Sequence, residues 1–350
     1  MRWTLFCRVV DNFGDIGFAW RLAADLASRG QDVRLAVDDP SALAWLAPAG
    51  SRGVVVVDWE RGAAEAAEVW VETFGCGLPE GAASAGAAVR VNVEHLSAEA
   101  YIERSHGRPS PRFGPGGEPR PTWFFFPGFS DRSGGLILEP GLRERRRRFG
   151  DGRDWLRSLG IERHAGERCV SLFCYRNRAL ADVLAALGES PTLLLLTPGF
   201  ATEAVAELLG PTLQRGQLRA VRLSWLSQQE FDRLLWSCDL NFVRGEDSLV
   251  RAVWAQAPFV WQLYPQRDQA HGAKLDAFMD RFLEEAPASL AGLRSVSALW
   301  NGFESTASLQ SAFASLDTSA WAEQCHRFST RCAGQPDLTS SLLDFVALKR

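Results

Sequence analysis

The chain carries two successive series of short, almost wholly apolar runs, separated by segments of helical periodicity or turn residues. In the first series, residues 5–10, 33–37, 54–58, 69–74 and 89–93 read as strands, followed by 123–126. Apolar residues at nearly every position, rather than at alternate ones, mark strands buried on both faces. Such strands need helices on both sides, and so a parallel sheet with helical crossovers. Between the first two runs, Ala19, Leu22, Ala23 and Leu26 recur at helical spacing across 18–29, and Gly30 ends the pattern. The second series repeats the arrangement. Its strands are expected at 169–174, 192–196, 218–223, 240–243 and 259–261, with helices at 178–187, 202–209, 228–236 and 248–256. A chain of 350 residues is long enough for about two domains. The expected fold class is therefore α/β, with one Rossmann-like domain over 1–162 and a second over 163–334. The alternation restarts near Glu162–Gly166, and a last helix, within about 335–350, is expected to pack back on the first domain. The stretch from Gly107 to Pro121 is too rich in Pro and Gly for regular structure and reads as a surface loop.

Composition narrows the partners. The formal net charge of −4 argues against a nucleic-acid binder, whose surface must neutralise phosphates. One basic run, Arg143 to Arg148, reads as a solvated helix face or linker. No apolar run approaches the roughly 18 residues of a membrane span. Met1-Arg2-Trp3-Thr4 leads straight into a strand-like run without a signal peptide, so a soluble cytoplasmic protein is expected. Seven cysteines without a C-x-x-C pair, and histidines 95, 106, 164, 271 and 326 without H-x-x-x-H spacing, point to neither a disulfide framework nor a metal site. The 38 basic residues include only two lysines, Lys274 and Lys349, which GC-rich coding explains.

Open parallel sheets bind ligands at the carboxyl ends of their strands, so three strand-to-helix junctions matter. The first, Asp11-Asn12-Phe13-Gly14-Asp15-Ile16-Gly17, lacks the three-glycine fingerprint that admits a dinucleotide pyrophosphate. Instead it sets two carboxylates four residues apart at a helix N-terminus. Helix capping accounts for one aspartate but not for Asp11, Asn12 and both glycines together. The second, Val243-Arg244-Gly245-Glu246-Asp247-Ser248, offers first-turn amides and the Ser248 hydroxyl to a diphosphate, with Glu246 and Asp247 free to accept from sugar hydroxyls; N-capping accounts for it equally well. The third runs from Ser224 to Phe231. Ser227 and Glu230 make a capping box, and Trp225, Gln228 and Phe231 could stack on a flat base and read its edge; a plain core or capping role fits the same residues.

Taken together these junctions resemble a known family. The runs VDNFGDIGFAWRLAADLA, VEHLSAEAYIERSHGRPSP, FFFPGFSDRSGGL, LLLLTPG and NFVRGEDSLVRAVWAQAPFVWQLYPQRDQAH occur in order from about residue 9 to 271. They are similar to the bacterial elongation factor P arginine rhamnosyltransferases, the EarP family; the last eighty residues contribute no motif. The resemblance implies a GT-B fold, with two facing Rossmann-like domains, the first binding the acceptor and the second the nucleotide-sugar donor across an interdomain cleft. It implies inverting transfer of L-rhamnose from dTDP-β-L-rhamnose to a loop-tip arginine of elongation factor P, without a metal or other cofactor. That modification activates the factor for rescue of ribosomes stalled at polyproline. Asp11, Asp15 and Glu246 fall on the family's catalytic positions. Asn12, Phe13, Gly14, Gly17, Phe173, Tyr175, Trp225, Gln228, Phe231, Asp247 and Ser248 fall on its donor-site positions. Trp225 stands where the family usually carries Phe, and the indole keeps a stacking face.

The expected mechanism addresses one chemical problem. A guanidinium has a pKa above about 12 and is a poor nucleophile at pH 7. Asp15 would serve as general base, Asp11 would orient the guanidinium or support Asp15, and Glu246 would position the donor. The alternatives are another GT-B glycosyltransferase with a different acceptor and a non-catalytic nucleotide-sugar binder. A nicotinamide-dependent oxidoreductase lacks its glycine fingerprint here. An enzyme that modifies arginine while carrying 36 of its own must also recognise the folded partner rather than any free guanidinium.

Overall fold

The computed structural model describes all residues except 11–12, 65, 80–81, 83–86, 111–120, 267–268 and 306–307. The chain forms two compact units, Met1–Pro140 with Cys332–Arg350, and Gly141–Arg331.

The first unit runs β1 (Arg2–Cys7), α1 (Gly14–Ser28), β2 (Asp32–Val37), α2 (Leu43–Leu46), β3 (Val54–Asp58), β4 (Val69–Thr73), β5 (Val89–Val93), α3 (Ala100–Ser105), β6 (Pro109–Ser110) and β7 (Thr122–Phe125). Its sheet has the order β3-β2-β1-β4-β5-β7-β6 and is parallel except for β6. Strand alternation divides the core between two faces. Leu5, Cys7, Val71, Val91 and Val93 pack with Ile16, Ala19, Leu22 and Leu26 of α1. Phe6 and Trp70 pack on the opposite face with Trp59.

Several expected bounds move for local reasons. The run 5–10 leaves the ladder after Cys7, because the Val9 N–H donates to Asp38 Oδ1 at 3.0 Å and the Val10 N–H to Asp15 Oδ2 at 2.8 Å. The run 69–74 stops at Thr73, because Phe74 turns left-handed at φ +57°. The valines of 54–58 form the edge strand β3, where Val55 is 57% exposed, so this run is not a buried strand. Pro109–Ser110, inside the expected loop, pairs antiparallel with β7; residues 111–120 lie outside the described residues.

The second unit begins with α4 (Leu142–Phe149) and α5 (Arg153–Ser158), then β8 (Arg168–Leu172), α6 (Leu180–Leu187), β9 (Thr192–Leu196), α7 (Phe200–Leu209), β10 (Gln214–Arg215) and β11 (Leu218–Arg222). It continues through α8 (Gln228–Ser237), β12 (Leu240–Arg244), α9 (Gly245–Ala255), β13 (Phe259–Gln262), α10 (His271–Phe282), α11 (Gly292–Trp300), α12 (Leu309–Ala314) and α13 (Thr318–Ala333). Its sheet order is β10-β11-β9-β8-β12-β13, parallel except for β10. This unit starts about twenty residues before the point where the alternation restarts. Trp155 and Leu156 of α5 share a core cluster with Cys169, Leu193 and Leu234, which ties 141–162 to the second sheet. The basic run lies on α4. Arg147 and Arg148 pair with Glu144 in solvent, while Arg146 donates to the Ala255 carbonyl at 3.0 Å.

The chain then returns to the first unit with α14 (Leu338–Lys349), whose Leu338, Leu342 and Val346 join the α1-side core. Asp337 caps α14 through the Thr339 and Ser340 N–H groups and accepts from Arg29 Nη2 at 2.8 Å. All seven cysteines are free, and burial raises the thiol pKa of Cys7, Cys174 and Cys325, which keeps them protonated. Among the described residues no helix is long and apolar enough to cross a membrane.

Candidate active site

In each sheet the strand order reverses beside the unit's first strand. In the first unit the chain steps from β1 outward to β2 and β3, then crosses to β4 on the other side of β1. The carboxyl ends of β1 and β4 therefore flank a topological switch point, where the two departing loops diverge and leave a crevice. The loop after β1 opens into it. Asp11 and Asn12 lie outside the described residues. Phe13 is the backbone N-cap of α1, without a side-chain cap bond, and packs edge-on to Trp45 at 4.9 Å. Gly14 begins the helix, and the Gly17 N–H donates to the Phe13 carbonyl at 3.0 Å.

Asp15 sits in the first turn of α1 and is buried. Its Oδ2 accepts from the Val10 N–H, so the carboxylate holds the β1–α1 loop from inside.

The second unit repeats the geometry between β8 and β12. Phe173 and Tyr175 follow β8; Gly245, Glu246, Asp247 and Ser248 open α9 directly after β12. Arg244, the last residue of β12, joins the two loops. Its guanidinium carbon lies 4.4 Å from the Phe173 ring centroid and 4.5 Å from that of Tyr175, and its Nη1 donates to the Cys174 carbonyl at 2.9 Å. Phe231 of α8 meets Phe173 edge-on at 5.7 Å. The Tyr175 N–H donates to Gln262 Oε1 at 2.8 Å. Gly245 adopts φ +71°, and a Cβ there would stand 3.3 Å from the Tyr175 hydroxyl.

Glu246 is held across the site by Lys274 of α10, whose Nζ donates to Glu246 Oε1 at 2.6 Å. The Ser248 hydroxyl, expected to face an anion, donates back to the Arg244 carbonyl one turn earlier. Its proton is therefore committed within the helix in this structure, while Arg244, the N-cap of α9, makes no side-chain cap bond.

The third junction is half a capping box. Ser227 Oγ accepts from the Glu230 N–H at 3.2 Å, but the Glu230 carboxylate turns to Trp155 Nε1 and Arg233 Nη1, both at 2.6 Å. Gln228 is buried at the start of α8, and Trp225 is 49% exposed. Phe173, Tyr175, Phe231, Glu246, Asp247 and Ser248 thus gather around one switch point, while Trp225 and Gln228 stand in the segment after β11, two strands from β8.

Three residues with evident places in this arrangement carried no role in the sequence reading: Arg244, Lys274 and Arg251. Arg251 of α9 donates from Nε and Nη2 to both carboxylate oxygens of Asp232 on α8, at 2.7 and 2.6 Å, and both side chains are buried. The signal for Lys274 was its rarity, one of two lysines in an arginine-rich chain.

Two parallel α/β units, each with a loop cluster at its switch point, define a glycosyltransferase of the GT-B class. The fold is similar along 98–100% of the chain to the spinosyn rhamnosyltransferase SpnG (TM-score 0.51, 14% identity, 99% of that chain) and to the glycosyltransferase VinC (TM-score 0.56, 14% identity, 99% of that chain). A family model described as elongation factor P (EF-P) rhamnosyltransferase EarP matches residues 3–347. The protein-arginine rhamnosyltransferases of Pseudomonas aeruginosa and Pseudomonas putida are 40% and 37% identical, over 99% and 98% of this chain and 98% of each relative. A structure described as the basis for EarP-mediated arginine glycosylation of translation elongation factor EF-P aligns over 99% of both chains, with a TM-score of 0.71 and 31% identity. The chain belongs to the EarP family of EF-P rhamnosyltransferases. The match extends through the C-terminal residues in which the sequence reading found no motif.

Proposed function

We propose that this protein transfers L-rhamnose from dTDP-β-L-rhamnose to an arginine side chain of elongation factor P, with inversion at the anomeric carbon. The family match across residues 3–347 carries this reading. The relatives' description as protein-arginine rhamnosyltransferases supports the sugar and the acceptor residue. The thymidine diphosphate carrier and the inversion rest on the family resemblance.

The geometry supports a division of labour. The second unit holds the donor: aromatic rings of Phe173, Tyr175 and Phe231 gather by the α8 and α9 N-termini, and the first-turn amides of α9 provide positive partial charge for the departing diphosphate. Glu246, fixed by Lys274, accepts from sugar hydroxyls and orients the anomeric carbon. In the first unit, the Asp15 carboxylate takes a proton from the acceptor guanidinium as its nitrogen bonds to that carbon. The C–O bond to the diphosphate breaks in the same displacement, and the leaving group keeps the electron pair. Asp11 orients the guanidinium or supports Asp15.

Incubation of elongation factor P with the enzyme and dTDP-rhamnose should add one deoxyhexose to an arginine, read by peptide mass spectrometry. A general base supplies about 10²–10⁴-fold, so Asp15→Asn should lose turnover by that factor while dTDP still binds. A sugar found on a different acceptor would favour another glycosyltransferase activity. Loss of dTDP binding in Asp15→Asn would remove the base assignment.

A further inference from the structure

The last two residues of β13 reach both loops of the second switch point, and the mechanism above uses neither of them. Trp261 and Gln262 are consecutive and buried, so their side chains leave the strand on opposite faces. On one face the Trp261 indole N–H donates to the carbonyl of Gly245, the first residue of α9, at 2.8 Å. On the other, Gln262 lies beside Arg244 in register and its amide holds the loop after β8. Gln262 Oε1 accepts from the Tyr175 N–H at 2.8 Å, and its Nε2 donates to the Arg176 carbonyl at 3.4 Å. One side-chain amide thus meets the backbone of two adjacent residues. β13 is itself an edge strand, with one side facing away from the sheet. The Asn241 N–H donates to the Pro258 carbonyl, so alternate residues of β13 turn to β12, and the Trp261 carbonyl and Leu263 N–H turn outward. Asn301, just past α11, occupies that outer side. Its Nδ2 donates to the Trp261 carbonyl and its Oδ1 accepts from the Leu263 N–H, both at 2.8 Å. The neighbouring Trp300 carbonyl accepts from Asn177 Nδ2 at 2.7 Å, two residues past Tyr175.

We propose that Gln262 is a positioning residue of the donor site: it sets the loop after β8 so that the Tyr175 ring stands against Arg244, and Asn301 holds the strand that carries it. This rests on the donor reading given above. The loop is anchored on both sides of Tyr175, since the Cys174 carbonyl accepts from Arg244 while Tyr175 and Arg176 bond to Gln262. Without the second anchor the loop samples other arrangements. A donor that binds only the set arrangement then loses affinity in proportion to the fraction of time that arrangement is absent. Gln262 itself touches no donor atom in this account and acts through Tyr175.

Calorimetry of the full-length protein with dTDP, beside steady-state rhamnosylation of elongation factor P, tests this. Gln262→Met keeps the length of the side chain and removes both bonds. It should weaken dTDP about two- to twelvefold, the net worth of one hydrogen bond, with kcat at saturating donor and the acceptor KM close to wild type. Gln262→Glu keeps an acceptor for the Tyr175 N–H and should bind dTDP more nearly as wild type does. Tyr175→Ala separates positioning from a general effect on the fold: adding Gln262→Met to it should change dTDP affinity by no more than about twofold further. Asn301→Ala leaves Gln262 in place but opens the strand edge. It should weaken dTDP in the same sense, and it carries the same comparison with Tyr175→Ala if Gln262→Met folds poorly. Unchanged dTDP affinity in Gln262→Met overturns the assignment, as does a full additional loss on top of Tyr175→Ala or a Gln262→Glu no tighter than Gln262→Met. If the wild-type chain binds no dTDP, the donor reading itself falls, a result seen before any variant is compared.

Discussion

The buried Asp232–Arg251 pair joins the two helices whose N-termini carry the proposed donor-site residues. Asp232 stands one turn beyond Gln228 on α8, and Arg251 one turn beyond Asp247 on α9. Their side chains are 7% and 1% exposed, and the guanidinium meets the carboxylate through two bonds. Replacing Asp232 by Ala leaves a guanidinium charge in the core, where losing one partner of a buried pair costs about 3–5 kcal/mol. At about 2–4 °C per kcal/mol for a unit of this size, the melting temperature should fall by about 6–20 °C. The double variant Asp232→Leu with Arg251→Met removes both charges and fills the space. It should recover most of that loss, since apolar replacement of a buried pair is commonly neutral or stabilising. Thermal and urea unfolding of the three proteins, followed by circular dichroism, measures this, and calorimetry with dTDP reads the effect on the site. A single variant that melts within about 2 °C of wild type, below the range worked above, would refute the reasoning. So would a double variant no more stable than the single one.

Two further outcomes follow from the geometry. Lys274→Met removes the ammonium 2.6 Å from Glu246, so turnover should drop about tenfold or more, in line with a charge-assisted bond of about 1.5–3 kcal/mol; full activity with the donor at saturation would show that Glu246 needs no such anchor. His106 accepts from the Phe126 N–H at 3.1 Å, and burial lowers its pKa below the ordinary 6.5. Above pH 6.5 both folded and unfolded chains are neutral there and the contribution is in place. As pH falls below that value the unfolded chain binds the proton first, and the contribution is lost as pH falls through the folded value. Wild type should therefore lose melting temperature relative to His106→Phe between about pH 7 and pH 5, and parallel curves would exclude the effect.

The strands were legible because burial on both faces leaves its mark at every residue, as in the run that became β9, with Leu193, Leu194, Leu195 and Leu196 all inaccessible. Edge position leaves no such mark. The four valines of β3 look like any buried run, and only the partner order shows that β3 pairs on one side. Strand ends were misread where side chains from distant residues decide them: nothing in residues 5–10 announces that Asp38 and Asp15 will take the Val9 and Val10 amides. At the candidate site, local strand–helix junctions located the residues, because each spans only a few positions. Lys274 and Arg251 could not be found this way. Each reaches its partner across 28 and 19 residues, through a turn of helix packing that periodicity does not encode.

The chain's return to its first unit has a consequence for synthesis. The α1-side core closes only when Leu338, Leu342 and Val346 arrive, and these are translated after the whole of the second unit. At about 5–20 residues per second, the 191 residues from Gly141 to Arg331 occupy a ribosome for about ten to forty seconds. For that interval the nascent first unit has its sheet and α1 but not the helix that seals them. The second unit, complete in one continuous segment, can finish folding first even though it is made second.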